Sequence, residues 1–285
     1  MCPEDFDNAR ELAAAEIQAG DEEAVEGLLH HLIRQRNAPE FHGMLGKALA
    51  AQGDYKGSAA EYQLAATMEP TETHVFDFGT SLMKVNFGAA ADVLQYGLKT
   101  YPASVKMHVG LALAFYAQDR PEDGARLLCE AAVLDPSDVH PMEVLANTRV
   151  VPRSIQLEAT RRFEELRERY PKDGLILFDY TMISSGRWSG LDGAATGDFI
   201  GSLKEALALN PGLAEAWYQL ALTYDQGKSY ALEIVALKKA IAIDAGQERY
   251  HYRLAFALRA SGDAAGFKEE LGVYAKLHDP STGAK

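Results

Sequence analysis

Prolines recur along this chain of 285 residues at an interval of about 34 residues. Proline cannot continue a helix, so it often stands just after a helix ends. Several of these prolines close similar segments, such as Met-Glu-Pro at 68–70 and Leu-Asp-Pro at 134–136. A regular interval of this length is typical of repeated helical hairpins. The prolines that define the interval are Pro39, Pro70, Pro102, Pro136, Pro171 and Pro211.

Apolar residues between these prolines recur at the spacing of an α-helix. In residues 214–247, Trp217, Leu220 and Tyr224 lie on one face of a first helix, and Leu237 belongs to a second helix. A short polar turn separates the two groups of apolar residues. The pattern therefore predicts two helices in each period and no β-strand.

Four periods place a leucine and a small residue side by side at the same position of the first helix. A small residue at that position lets the backbones of the two helices approach closely. These pairs, together with the aromatic residues, the alanine and the proline that follow at fixed offsets, resemble the tetratricopeptide repeat. The pairs are Leu45-Gly46, Leu111-Ala112, Leu220-Ala221 and Leu254-Ala255.

The resemblance implies an all-α fold, a right-handed α-solenoid of about eight helix hairpins. The whole chain, 1–285, would form a single superhelical domain, because each hairpin has to bury its apolar face against a neighbour. Pro152 predicts a break inside the fifth unit, and residues 280–285 are expected to form a frayed tail. The implied units are residues 6–38, 39–71, 72–104, 105–138, 139–173, 174–213, 214–247 and 248–279.

The charge of the chain limits the classes of partner. Acidic residues outnumber basic residues by 41 to 28, which gives a formal net charge of −13. A strongly acidic surface repels phosphate groups, so we expect no binding to nucleic acid or to an anionic membrane. The sequence has no apolar run long enough to span a bilayer, and residues 1–7 lack the basic start of a secretory signal. These features predict a cytoplasmic protein, or a periplasmic one if an upstream signal has been removed.

The sequence contains no pattern typical of catalytic chemistry. GxSxG, HExxH, Walker-type and GxGxxG motifs do not occur. His42, His108 and His251 each stand at the fourth position of a unit, where Trp217 stands in the seventh, so we expect them to pack as aromatic residues do. We therefore predict that the protein is not an enzyme, with no catalytic residues and no metal or cofactor site.

In the tetratricopeptide family, ligands lie along a concave surface lined by the first helix of each unit. Transferred to this sequence, the family's offsets imply a mostly apolar and aromatic set of peptide-binding residues. Such a surface suits an extended peptide or an amphipathic helix of a protein partner. The implied set is Phe76, Thr80, Met83, Lys106, Val109, Leu113, Tyr116, Phe178, Met182, Tyr218, Gln219, Leu222, Arg249, Tyr252, Arg253 and Phe256.

Two arginines in this set suggest an anion site. Family members that bind chaperone tails hold a terminal carboxylate with lysine, asparagine and arginine from successive units. Here Arg249 and Arg253 match that pattern, but Phe178 and Met182 stand where a lysine and an asparagine would be needed. The arginines would orient an acidic end of the partner. The alternative is that they pair with local acids such as Glu215 or Glu248.

The sixth unit contains an insertion, residues 184–198, which is rich in glycine and includes Trp188. One interpretation is that Trp188 folds over one end of the groove and contacts the partner, because tryptophan is usually substantially buried. The other is that the insertion is only a loop between helices.

We interpret the chain as a non-enzymatic scaffold or adaptor for protein–protein interaction. One alternative is a substrate-recruiting arm of a larger enzyme. Another is a structural subunit that forms a homo-oligomer through its end faces, because the last predicted helix is followed by no further helix that would cover it. The apolar residues of that helix are Phe267, Leu271, Tyr274 and Leu277.

Overall fold

The computed structural model describes residues 8, 10–15, 22–187 and 196–278. Residues 22–187 and 196–278 contain fifteen α-helices and a short 3-10 helix at Leu82–Lys84, residues 10–15 are also helical, and no described residue lies in a β-strand, which confirms the predicted all-α class. The α-helices are α1 (Glu22–Gln35), α2 (Pro39–Ala51), α3 (Tyr55–Met68), α4 (Glu72–Ser81), α5 (Phe87–Thr100), α6 (Val105–Ala117), α7 (Pro121–Leu134), α8 (His140–Thr148), α9 (Arg153–Arg169), α10 (Gly174–Ser184), α11 (Thr196–Leu209), α12 (Ala214–Gln226), α13 (Tyr230–Ile243), α14 (Glu248–Ser261) and α15 (Ala264–His278).

The chain divides into two compact units, residues 1–155 and 156–285. In the first unit, α2 packs with α3, α4 with α5, and α6 with α7 as consecutive hairpins. In the second unit, α10 packs with α11, α12 with α13, and α14 with α15. The boundary between the two units falls inside α9, in the predicted fifth repeat. The arrangement of eight repeats as one domain therefore stays a prediction.

The helices begin and end where the side chains can satisfy the backbone. The carboxylate of Asp54 accepts a hydrogen bond from the backbone N–H of Gly57 at 2.9 Å, and the Ser104 hydroxyl accepts one from Met107 at 3.2 Å. Both residues thus cap a helix N-terminus. At the other end of α14, Gly262 adopts a φ of 95°, a left-handed conformation that glycine allows at low cost.

Glycines at the crossing points let the two helices of a hairpin approach closely. A Cβ atom on Gly46 would lie 2.9 Å from the ring of Tyr62, and one on Gly79 would lie 2.6 Å from Leu94. Burial in this contact raises the pKa of Tyr62 to about 12. The small residues seen in the sequence therefore mark the closest contacts inside the hairpins.

Replacing Gly46 with alanine should lower the free energy of unfolding by about 1–2 kcal/mol, because the new methyl group would displace the Tyr62 ring. Gly43, in the same helix, has nothing within 4 Å of its Cβ position. Gly43→Ala should therefore raise the stability by up to about 1 kcal/mol, as alanine favours helix. Thermal unfolding followed by circular dichroism tests both variants. Equal effects of the two changes would contradict the close contact.

The three histidines at the fourth position of their units are all buried. His42 also contacts the carboxylate of Glu61 at 2.6 Å, and His251 contacts that of Glu270 at 2.8 Å. Each glutamate belongs to the second helix of the same hairpin. His42 and His251 therefore connect the two helices of a hairpin in addition to filling the core.

Candidate protein-interaction surface

In residues 1–155, the first helices of successive hairpins contact one another, as α2 does with α4 and α4 with α6. On the opposite side, a cleft of about 480 Å³ lies between α3 and α5, and another of about 370 Å³ lies between α5 and α7. The stack is therefore tighter on the side of its first helices. That side is the inner side of this unit, and the residues predicted to bind a partner belong to α4, the following 3-10 helix and α6.

Phe76 and Lys106 lie next to each other on this inner side. The ammonium group of Lys106 is 5.4 Å from the centre of the Phe76 ring and 3.8 Å from the carboxylate of Glu72. Thr80 donates a hydrogen bond to the backbone carbonyl of Phe76 at 2.9 Å, so its hydroxyl is already engaged within α4. The ammonium group of Lys106 thus interacts with an aromatic ring and with an acid, both from the preceding hairpin.

The other predicted residues of the first unit differ in exposure. Val109 is buried, and Met83 packs against the hydrophobic core beside it. Tyr116 donates a hydrogen bond to the backbone carbonyl of Val150 at 3.0 Å, and its burial raises its pKa to about 12. Leu113 is 41% exposed, which makes it the most accessible apolar side chain of the predicted set in this unit.

Phe178 and Met182 lie in the hydrophobic core of the second unit rather than on a binding surface. They pack in one cluster with Phe199 and Leu203 of α11, and both are buried. The reason is that α10 is apolar around most of its circumference, so most of its residues are enclosed. The repeat offsets assume a helix with one accessible face, which α10 does not have.

Tyr218 and Arg249 form a stacked arrangement with Tyr250. The rings of Tyr218 and Tyr250 have their centres 4.9 Å apart, and the Arg249 guanidinium lies 4.9 Å and 5.1 Å from the two centres. Arg249 also forms an ion pair with Glu215, whose carboxylate accepts a second hydrogen bond from Gln219 at 2.9 Å. Glu215 therefore holds two of the polar side chains predicted to contact a partner, Gln219 and Arg249.

Arg253 forms ion pairs with two acids, Asp225 and Glu233. Its Nε donates to Glu233 Oε1 at 2.8 Å. The Glu233 side chain is only 1% exposed, and its Oε2 has no hydrogen-bond partner among the described residues. Burial raises the pKa of this carboxyl, and the charge of Arg253 acts in the opposite direction.

The predicted anion site is thus occupied by the protein's own acids. Glu215 is the partner that the alternative interpretation named, whereas Glu248 contacts His278 at 2.8 Å instead. Asp225 and Glu233 were missed, because they come from the end of α12 and the start of α13. A carboxylate of a partner would have to compete with these acids for Arg249 and Arg253.

Apolar rings remain accessible beside these ion pairs. Tyr252 is 44% exposed, and its ring centre lies 4.7 Å from that of Phe256. Leu222 is half-buried on the preceding first helix. Trp188 lies outside the described residues.

The described residues contain no group of three or more His, Cys, Asp or Glu side chains placed to hold a metal ion. In the same part of the chain, no helix combines the length and the apolar composition that crossing a bilayer requires.

Comparison with known proteins identifies the repeats. Two tetratricopeptide repeat models match the chain, one at residues 82–139 and the other at residues 214–247. A search of curated protein sequences finds no match.

Solved structures share the fold at low sequence identity. The C-terminal part of a repeat-containing protein from Cytophaga hutchinsonii aligns with a TM-score of 0.63 and 13% identity, over 86% of this chain and 99% of that one. A tetratricopeptide repeat protein from Parabacteroides merdae aligns with a TM-score of 0.58 and 13% identity, over 89% and 98%.

A structure of the APC/C hetero-tetramer Cut9–Hcn1 gives a TM-score of 0.54 and 14% identity, over 95% of this chain and 53% of that chain. The present chain thus spans about half the length of that relative. Together with the stacked helix pairs and the two matched repeat models, these likenesses lead to one conclusion. The chain is a tetratricopeptide repeat protein.

Proposed function

We propose that the protein is a non-enzymatic scaffold that binds segments of another protein on the surfaces formed by the first helices of the hairpins in each of its two units. The observation that supports this best is the exposure of Leu113 and Tyr252 on those helices. Neither side chain is buried in the hydrophobic core, and each offers apolar area to a partner. A related fold also occurs in a hetero-tetrameric assembly.

The charges of this surface favour a partner that binds through apolar side chains. Arg249 and Arg253 are paired with acids, and Lys106 lies beside Glu72. Their positive charge is therefore already compensated, so an acidic partner gains little from them. We expect binding that changes little with salt concentration, in contrast to binding through free arginines.

A matched pair of variants tests the surface. Leu113 in α6 and Leu134 in α7 belong to the same hairpin and have nearly the same exposure, 41% and 43%. Peptides would first be selected from a random display library on the whole protein. Leu113→Asp should then weaken the selected peptides by about tenfold or more, because a charge would replace buried apolar contact.

Leu134→Asp serves as the control, since it places the same charge on the second helix. It should leave the affinity unchanged, and circular dichroism should show equal helix content in both variants. If both variants weakened binding equally, or if no peptide were selected, the proposed surface would be wrong.

A further inference from the structure

The last two hairpins place equivalent residues 34 positions apart, because α12 begins at Ala214 and α14 at Glu248. In the earlier hairpin, Leu237 and Ala240 are fully buried. Leu237 lies in one apolar cluster with Leu254 and Leu258 of α14. The side of the earlier hairpin that faces α14 is thus covered by a helix with an apolar stripe.

The corresponding side of the last hairpin is uncovered among the described residues. Leu271 and Tyr274, the equivalents of Leu237 and Ala240, are only half-buried, and no residue of α15 is buried. Aromatic rings continue this surface, with centre-to-centre distances of 4.7–5.7 Å. We call this surface the end face, and it consists of Tyr252, Phe256, Phe267, Leu271 and Tyr274.

The charges around the end face are opposite to those around the covered face. In the covered hairpin, Glu215 and Asp225 stand at positions where they pair with arginines of α14. Thirty-four residues later, the same positions hold Arg249 and Arg259. Arg249 is already paired with Glu215, whereas Arg259 is an exposed cation of α14 on this rim.

Arg259 is placed to receive an acid. Its guanidinium lies 4.6 Å from the centre of the Phe256 ring and 5.2 Å from that of Phe267. It forms no ion pair within the described residues, whereas the nearby acids Glu248 and Glu270 each contact a histidine. A covering helix with an acid on its edge would therefore find a cation to pair with at Arg259, as Arg253 of α14 pairs with Asp225 at the equivalent position.

We propose that the end face binds an acidic amphipathic helix of a partner protein. The apolar stripe of that helix would cover Leu271 and Tyr274, and an acid on its edge would pair with Arg259. Tyr252 of α14 belongs both to the end face and to the proposed binding surface of the first helices, whereas Leu271 belongs to the end face alone and Leu113 of α6 to the other surface alone. The two proposals can therefore fail separately.

Two designed helical peptides of about 18 residues would test the proposal on the full chain by fluorescence anisotropy. Both have the same leucine stripe, flanked by glutamate in one and by lysine in the other. The glutamate peptide should bind at least about tenfold more tightly than the lysine peptide, because its charge complements Arg259. Arg259→Glu should reverse this preference, and it alters an exposed side chain, so the fold should be retained.

Two further variants locate the binding. Leu271→Asp should abolish binding of the glutamate peptide, whereas Leu113→Asp, on the other proposed surface, should leave it unchanged. Equal affinity for both peptides, or a preference that Arg259→Glu does not alter, would overturn the proposal. Sedimentation equilibrium gives a further test. A self-associated form that Leu271→Asp dissociates would assign the face to a second copy of this chain instead.

Discussion

Replacing Arg253 with methionine is expected to lower the free energy of unfolding by about 3 kcal/mol at neutral pH. The change removes the cation that faces Glu233, whose side chain is only 1% exposed. A buried carboxylate without a partner is costly, and Oε2 of Glu233 already lacks one among the described residues. Urea unfolding followed by tryptophan fluorescence measures the effect, because Trp217 packs against a core cluster of the unit of residues 156–285.

The loss should depend on pH in a defined direction. Burial raises the pKa of Glu233 in the folded protein, so the folded state holds a proton at this carboxyl more tightly than the unfolded chain does. This bound proton contributes its full stabilisation at a pH below the pKa that the Glu233 carboxyl has in the unfolded chain. The stabilisation is lost as the pH rises through the pKa of the same carboxyl in the folded protein. Without Arg253 the folded pKa rises further. The difference between variant and parent should therefore be smallest near about pH 4 and grow toward neutral pH.

Two controls separate this effect from a general effect of removing an arginine. Arg120 forms an exposed ion pair with Asp123 at 2.6 Å, and Arg120→Met should cost less than about 1 kcal/mol. Adding Glu233→Leu to Arg253→Met should restore much of the lost stability, since no buried charge then remains. A double variant as unstable as Arg253→Met alone would show that Glu233 is not the cause.

Leu237→Ala should lower the free energy of unfolding by about 3 kcal/mol. Leu237 is fully buried between the last two hairpins, in one cluster with Leu254 and Leu258. The substitution removes apolar contact and leaves a cavity. Leu232, in the same helix, is 50% exposed, so Leu232→Ala should change the stability by less than about 1 kcal/mol. The same urea experiment compares the two, and equal losses would contradict the burial of Leu237.

The hairpin pattern could be predicted from sequence because its causes are local. Proline ends helices, and the small residue beside Leu45 allows the contact between Gly46 and Tyr62. Pro152 predicted a break in the fifth unit, and α8 indeed ends at Thr148 before α9 begins at Arg153. Each of these signals acts within one hairpin.

The candidate surface was harder to predict because it depends on contacts between hairpins. The repeat offsets place Phe178 on a surface, but they take no account of the other residues of α10. This helix is apolar on several faces and packs against α11, so Phe178 is enclosed. The partners of Arg253 come from the end of one helix and the start of the next. Asp225 and Glu233 can be identified only once the turn between α12 and α13 is known.

The contacts between hairpins in residues 1–155 are unequal, and this inequality has a mechanical consequence. Each second helix packs against the first helix of the next hairpin and the first helices contact one another, whereas clefts of about 370–480 Å³ lie between the second helices. Small rotations between successive hairpins would widen or narrow these clefts. The curvature of residues 1–155 would then adjust to bound segments of different width without the unfolding of any helix.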